Sequence, residues 1–216
     1  MLRAFATLIQ SALDVILPRK ERVVRIDHYR MEDIPIAPHE YEARGIQIVT
    51  LMQYRNQVVD DLIRALKYNR AENAALLLAG ALAEYLRDDI AERKAFSSRE
   101  IVLVPVPLHA ARQRERGFNQ VAKILSSLPE EFHNGTLSRV VSDALVRTRN
   151  TPQQTRLSRS ERLKNVEGAF ALTAADGIRG RHIILVDDVT TTGATLTEAA
   201  TPFAGESITL LALAHA

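Results

Sequence analysis

The sequence predicts an α/β fold in which a mostly parallel sheet is flanked by helices. Two short runs, Ile101–Val104 and Ile183–Val186, consist of apolar residues alone. Such runs fit strands that are covered on both faces, as in a parallel sheet. Helical spacing recurs between the apolar runs, and a further apolar strand is predicted over Ser207–Leu213. Strands that alternate with helices indicate parallel neighbours.

The bulk composition is that of an ordinary globular protein. The chain has 216 residues, of which 46% are hydrophobic and 25% charged, with a formal net charge of +2. This length suffices for one α/β domain and a small appendage, and this charge favours no class of partner. The absence of cysteine excludes disulfides and cysteine-ligated zinc.

Residues 1–45 contain no chemical motif, and we expect the main domain over residues 46–216. Residues 1–17 are too polar and too short for a membrane span and make a poor signal peptide. A short amphipathic helix is favoured there over contact with a membrane surface. We therefore expect a cytoplasmic protein without a membrane anchor.

The main domain opens with a strand from Ile46, followed by an amphipathic helix over residues 55–67. Lys67 follows the last apolar turn of that helix. We favour a lysine that only stabilises the negative helix end over one that points into a site. Asn73 is predicted as the N-cap of a second helix that extends to about Arg93.

The strand at Ile101–Val104 runs into a turn that two prolines stiffen. The turn is Val104, Pro105, Val106 and Pro107, and it precedes three arginines, Arg112, Arg114 and Arg116. Guanidinium groups pair with phosphate oxygens through two parallel hydrogen bonds. Because this basic run follows a buried strand, we favour an anion site here over a solvated turn. A short helix is expected from Leu137.

A basic segment over residues 147–170 contains few residues suited to a core. Between Arg147 and Asn165, six basic residues face one acid, Glu161. We expect an exposed excursion that acts either as a lid over an anionic substrate or as a nucleic-acid contact. The second alternative would use Arg156, Arg159 and Arg162. Direct nucleic-acid binding is weakly supported, because no aromatic residues are interleaved for base stacking.

The stretch from Ile183 to Thr195 contains the strongest chemical signal. A buried strand ends in two carboxylates, Asp187 and Asp188, and a turn of Thr191, Thr192, Gly193, Ala194 and Thr195 follows. Ligands of open α/β sheets bind at such strand ends. The turn, followed by a helix from Ala194 to about Phe203, suits a phosphate. The two acids suit ribose hydroxyls or a magnesium ion. Pro202 should end that helix early.

The residues of this stretch resemble the phosphoribosyl pyrophosphate (PRPP) loop of type I phosphoribosyltransferases. Over residues 46–214 the chain is similar to the ComF family of phosphoribosyltransferase-like proteins. The similarity rests on several separate blocks: Lys67-Tyr68, Pro105-Val106-Pro107, Arg116-Gly117-Phe118-Asn119-Gln120, Arg147-Thr148-Arg149, Gln153-Gln154, and the loop at Asp187-Asp188.

The resemblance implies a type I phosphoribosyltransferase fold with a flexible hood over residues 147–170. It implies that Asp187 and Asp188 are the catalytic residues that bind the ribose hydroxyls and, indirectly, Mg2+. Thr191, Thr192, Gly193, Ala194 and Thr195 would bind the 5-phosphate. Val104, Pro105, Val106, Pro107 and Arg116 would bind pyrophosphate. The hood would contribute Arg147, Arg149, Gln154, Arg162 and Asn165.

The chain departs from the family at its start, where ComF proteins usually carry a cysteine-ligated zinc module. Residues 1–45 stand in that place without cysteine, so no zinc is expected. Thr191 replaces the carboxylate of 6-oxopurine enzymes, which argues against a hypoxanthine or guanine acceptor.

Two functions remain open from the sequence. The first is Mg2+-dependent transfer of ribose 5-phosphate from PRPP to an unidentified acceptor, linked through the family to competence and DNA uptake. The second is a non-catalytic module that senses PRPP or a nucleotide and acts through a protein partner of DNA uptake. Both need the same ground-state contacts, so the motif does not separate them. A homo-oligomer is also left open.

Overall fold

A computed structural model describes residues 25–108, 113–114, 117–148, 168–173 and 175–216. Its centre is a six-stranded sheet with the strand order β1-β2-β8-β7-β3-β4. Only the β1–β2 pair is antiparallel, and every other neighbouring pair is parallel. The strands are β1 (His39–Ala43), β2 (Ile46–Gln53), β3 (Ile101–Pro105), β4 (Arg139–Val140), β7 (His182–Thr190) and β8 (Ser207–His215).

A separate two-stranded antiparallel ribbon is formed by β5 (Leu145–Arg147) and β6 (Phe170–Leu172). Within the described residues, four complete α-helices connect the strands: α1 (Gln57–Asn69), α2 (Glu72–Phe96), α3 (Gln120–Ser126) and α4 (Ala194–Ala200). Short 3-10 helices lie at Met31–Asp33, Glu130–Phe132, Ala175–Gly177 and Thr201–Phe203. The predicted α/β architecture with a mostly parallel, helix-flanked sheet is confirmed.

Two apolar cores cover the faces of the sheet. Leu103, Ile184 and Leu211 belong to the core that α1, α2 and α3 also line. Val104, Leu185 and Leu210 belong to the other core, which includes α4 and the β5–β6 ribbon. Neighbouring residues of one strand thus contribute to opposite cores, since side chains alternate between faces. This double coverage explains why β3 and the Ile183–Val186 part of β7 are apolar.

The described part of the amino-terminal segment packs onto the same body. Strand β1 forms the edge of the main sheet, and a turn at Arg44 and Gly45 joins it to β2. Before it, Arg25 donates from Nε and Nη2 to the two carboxylate oxygens of Asp61 at 2.8 and 2.9 Å. Asp61 is a buried residue of α1, so this ion pair anchors the segment to the first helix.

The structure corrects two local expectations. Asn73 is not an N-cap, because α2 is capped by Ala71 and the Asn73 amide donates to the carbonyl of Ile26. No helix begins at Leu137, where the chain forms the short edge strand β4 instead. The expected early end of the last helix is confirmed, since α4 gives way to a 3-10 turn that contains Pro202.

Candidate functional site

The two carboxylates predicted at the end of the central strand point to different layers of the protein. Asp188 forms an ion pair with Lys67 of α1, at 2.8 Å between Oδ2 and Nζ. The charge of Lys67 also acts on Asp187, as does, more weakly, that of Arg147, the last residue of β5. Adjacent side chains of a strand alternate between faces, so the two acids are directed to opposite faces of the sheet.

This environment raises the pKa of Asp187 to about 7. Burial is the largest cause, and the negative charge of Asp188 adds to it. The Asp188 N–H, which donates to Asp187 Oδ1 at 2.8 Å, acts in the opposite direction, as do Lys67 and Arg147. The free protein therefore holds one carboxylate that is poised between its charged and neutral forms near neutral pH.

Lys67 is the main site residue that the sequence did not identify. The interpretation that it only stabilises the helix end is wrong, because its ammonium reaches across to β7. Burial lowers the pKa of Lys67, but the charge and hydrogen bond of Asp188, together with the charge of Asp187, raise it further than burial lowers it. Lys67 is therefore charged, and its side chain and that of Asp188 are only 19% and 16% exposed.

The turn after the acid pair is fixed by contacts from strands β1 and β8. The Gly193 N–H donates to Thr190 Oγ1 at 3.1 Å, and that hydroxyl also lies 3.1 Å from the Tyr41 hydroxyl. His215 stacks on Tyr41 with ring centroids 5.0 Å apart, and its Nε2 lies 3.1 Å from the Thr191 carbonyl oxygen. Sequence analysis did not identify Tyr41 or His215, because they come from β1 and β8.

Glycine is required at position 193. Its φ angle is +74°, and an added Cβ would lie 2.4 Å from Ile48 Cδ1 and 2.7 Å from Ala43 Cβ. Residues with a Cβ rarely adopt this left-handed conformation. The backbone of the predicted phosphate turn, Thr191, Thr192, Gly193, Ala194 and Thr195, is therefore seated directly on β1 and β2.

The proline turn lies beside the acid pair, as its place at a strand end predicts. Pro105 is the register partner of Val186, and the Val106 N–H donates to the Val186 carbonyl at 2.8 Å. The Asn119 amide donates to the Val106 carbonyl at 3.0 Å, and Asn119 also caps α3. Val104 and Val106 are buried, whereas Pro107 is half-exposed. The predicted pyrophosphate residue Arg116, like Arg112, lies outside the described residues.

The predicted hood begins and ends at one cross-strand pair. Arg147 and Phe170 are register partners in the β5–β6 ribbon. The Arg147 guanidinium carbon lies 5.4 Å from the centre of the Phe170 ring, which suits a cation–π contact. The predicted hood residues Arg149, Gln154, Arg162 and Asn165 lie outside the described residues, as do Arg156 and Arg159. Of the predicted hood residues, Arg147 alone can be placed, and its positive charge acts on Asp187.

The donor set fits a magnesium ion that is shared with a ligand. In the described residues no group of three or more histidines or acids could hold a metal. The protein thus offers the two carboxylates of Asp187 and Asp188, each with one oxygen already engaged. Magnesium sites commonly combine one or two carboxylates with waters and substrate phosphate oxygens.

Together, the fold and the candidate site define an α/β protein with two acids and a hydroxyl-rich turn at the carboxyl edge of a mostly parallel sheet, the edge where ligands of such folds bind. Within the described residues, no helix is long and apolar enough to cross a membrane. The architecture is compatible with a phosphoribosyltransferase-like fold.

Comparison with known proteins gives the family. No family model matches the chain. The DNA utilization protein YhgH of Escherichia coli K12 is 33% identical over 156 residues, which are 71% of this chain and 64% of that protein. The competence protein ComFC of Bacillus subtilis is 37% identical over 103 residues, 48% of this chain and 38% of that protein. Competence protein F of Haemophilus influenzae is 36% identical over 97 residues, covering 44% and 41%.

The similarity to these proteins supports membership of the ComF family, as the motifs predicted. It covers less than two thirds of the length of each of these relatives.

Proposed function

We propose that this protein binds PRPP in a type I phosphoribosyltransferase fold and transfers its ribose 5-phosphate group to an acceptor. The observation that carries the proposal is the junction at the end of β7. There, two acids that suit ribose hydroxyls are followed within a few residues by a threonine-rich turn that leads into α4. Such a turn suits a phosphate, so a phosphorylated pentose would match both parts of the junction.

Each part of the site has a role in this reaction. Asp187 and Asp188 accept hydrogen bonds from the ribose hydroxyls, and the turn from Thr191 to Thr195 donates to the 5-phosphate. The bond between C1 of the ribose and the pyrophosphate oxygen breaks, and the electron pair leaves with pyrophosphate. A new bond forms from the acceptor to C1, and the acceptor loses its proton. Positioning and fixed charge, rather than a covalent intermediate with the protein, supply the catalysis.

The turn from Val104 to Pro107 is the proposed binding site of the leaving pyrophosphate. It is held against Val186, the residue before the acid pair, by a backbone hydrogen bond. The side chains of Lys67 and Arg147 supply positive charge to the same edge. When bound by Asp187 and Asp188, directly or through water, Mg2+ would neutralise charge on the pyrophosphate oxygens.

The names of the relatives suggest the process in which this activity is used. YhgH is described as a DNA utilization protein, and ComFC and competence protein F as competence proteins. We propose that the present protein serves the same process and that its acceptor or its protein partner belongs to it.

The test is PRPP binding, followed by turnover. Calorimetry with PRPP and Mg2+ should show saturable binding, and pyrophosphate release should appear with at least one member of a panel of bases and amines. The Asp187→Asn, Asp188→Asn double variant should lose PRPP binding while its far-ultraviolet circular dichroism is unchanged. Asp88→Asn is the matched control, because Asp88 is an exposed acid on α2.

The outcomes separate the alternatives. Tight PRPP binding without pyrophosphate release on any acceptor would favour the sensing module over the enzyme. Absence of PRPP binding in the wild-type protein would exclude both. Unchanged affinity in the double variant would refute the assignment of the ribose hydroxyls to the acid pair.

A further inference from the structure

The acid pair carries its own counter-charge. Lys67 Nζ lies 2.8 Å from Asp188 Oδ2, and both side chains are more than four-fifths buried. On the other side of β7, Asp187 feels the positive charge of Arg147. The two adjacent carboxylates are thus already opposed by two cationic side chains before any ligand arrives.

The fold fixes the position of Lys67. It lies in the last turns of α1, whose Ile63 and Leu66 are buried in the core beneath the sheet. This packing fixes the helix on the face of the sheet to which Ile184 and Val186 of β7 contribute. Lys67 therefore presents its ammonium to the one carboxylate that the strand directs towards that core.

A divalent cation that approaches this pair in the free protein meets the positive charge of Lys67. It must either displace the ammonium from Asp188 Oδ2 or bind beside it. Coulomb repulsion between a monovalent and a divalent cation a few ångströms apart is strong wherever water is partly excluded. In exchange, the protein offers no third acidic or histidine ligand within its described residues.

We propose that Lys67 is the resident counter-cation of the Asp187–Asp188 pair and excludes a free divalent cation from it. This inference rests on the proposed function only where the metal is said to arrive with PRPP. In that setting the pyrophosphate adds oxygen ligands and negative charge, so metal and substrate bind together. The exclusion itself is a property of the free protein and can be tested without any substrate.

The experiment is a titration of the full chain with Mn2+ and no substrate, in which free Mn2+ is counted by electron paramagnetic resonance. The wild-type protein should bind weakly. Lys67→Met, which keeps the length and loses the charge, should bind Mn2+ at least about tenfold more tightly. The control is Lys94→Met, which makes the same change in charge. Lys94 lies near the carboxyl end of α2 and donates to the Thr136 carbonyl at 2.6 Å.

A purely structural tether would behave differently. Lys67→Met would then lose stability in urea unfolding while its Mn2+ affinity stayed at the wild-type value, and the proposal would be overturned. Lys67→Gln is a second neutral variant in case the methionine protein does not fold, and Lys67→Arg should restore exclusion. Tight Mn2+ binding by the wild-type protein would overturn the proposal without any variant.

A second arm separates this inference from the proposed function. Equilibrium dialysis with PRPP present should show that wild-type protein retains Mn2+ together with PRPP. If PRPP fails to bind while Lys67→Met still gains Mn2+ affinity, the proposed function falls and the counter-cation remains. If PRPP binds but Lys67→Met gains no Mn2+ affinity, the counter-cation proposal falls and the proposed function remains.

Discussion

Replacement of Gly193 by alanine tests whether the turn after the acid pair is fixed by its seat on β1 and β2. Two terms contribute to the expected loss of stability. The φ angle of +74° is left-handed, which costs a residue with a Cβ about 1 kcal/mol. The new methyl would also lie 2.4 Å from Ile48 Cδ1 and 2.7 Å from Ala43 Cβ. Overpacking of this kind costs about 2 kcal/mol. The sum is about 3 kcal/mol in the free energy of unfolding.

Gly180 supplies the matched control. Its φ angle is +70°, and nothing lies within 4 Å of a Cβ added there. Gly180→Ala should therefore cost only the backbone term, about 1 kcal/mol. The difference between the two variants isolates the contacts with Ile48 and Ala43. Both free energies come from urea unfolding followed by far-ultraviolet circular dichroism, with the slope on denaturant checked for equality.

A double-mutant cycle identifies the clashing atom. Ile48→Val removes the methyl group that the new Cβ would meet first, at a cost of about 1 kcal/mol because Ile48 is fully buried. In the Gly193→Ala background the same change should cost less, with a coupling of about 1 kcal/mol. Equal losses for Gly193→Ala and Gly180→Ala would refute the reasoning, since the turn would then yield without strain. A cycle with no coupling would assign the clash elsewhere.

Three further predictions concern the groups around the site. The raised pKa of Asp187 makes the folded state bind more protons than the unfolded state between about pH 4 and about 7, so stability should fall as pH rises through this window. Asp187→Asn should flatten that fall, and the melting temperature of the variant should therefore exceed that of the wild type by more at pH 8 than at pH 5. Arg25→Met removes both guanidinium donors of the buried Asp61 carboxylate, which keeps the Tyr29 hydroxyl as a donor, and should cost about 2 kcal/mol in urea unfolding. Lys123→Met, which breaks an exposed pair, should cost no more than about 0.5 kcal/mol; equal losses would contradict this. Glu198→Ala removes the buried acceptor of the Gly168 N–H, near the end of the hood, and should cost about 2 kcal/mol in the same assay. Glu198→Gln, which keeps an acceptor, should cost clearly less.

The sequence was sufficient to predict the helices and strands whose hydrophobic periodicity is strong. The apolar runs in β3 and β7 and the amphipathic pattern of α1 gave a parallel sheet with helices on its faces. The same runs located the acids and the proline turn, because ligand-binding residues follow buried strands in this class of fold. Strand β4 was missed because two residues carry no period.

The contacts that complete the site could not be read in the same way. Tyr41 and His215 are 174 positions apart and meet because β1, β2 and β8 are neighbours in the sheet. Nothing in local composition encodes that strand order. Asn73 has the residue type of an N-cap, yet its amide is used on Ile26 instead, so tertiary contact prevailed over local preference.

Lys67 shows most clearly where periodicity stops being informative. Helical spacing places it next to the buried stripe of α1, but not against any particular strand. The partner is set by the alternation along β7, which directs Asp188 towards α1 and Asp187 towards the ribbon that contains Arg147. The two acids are neighbours in the motif, but the fold gives them chemically different surroundings. Asp188 forms a direct ion pair with Lys67, whereas burial and the charge of Asp188 raise the pKa of Asp187. A ligand that binds both acids must accordingly displace or bind beside a salt bridge at one position and offset a desolvation penalty at the other.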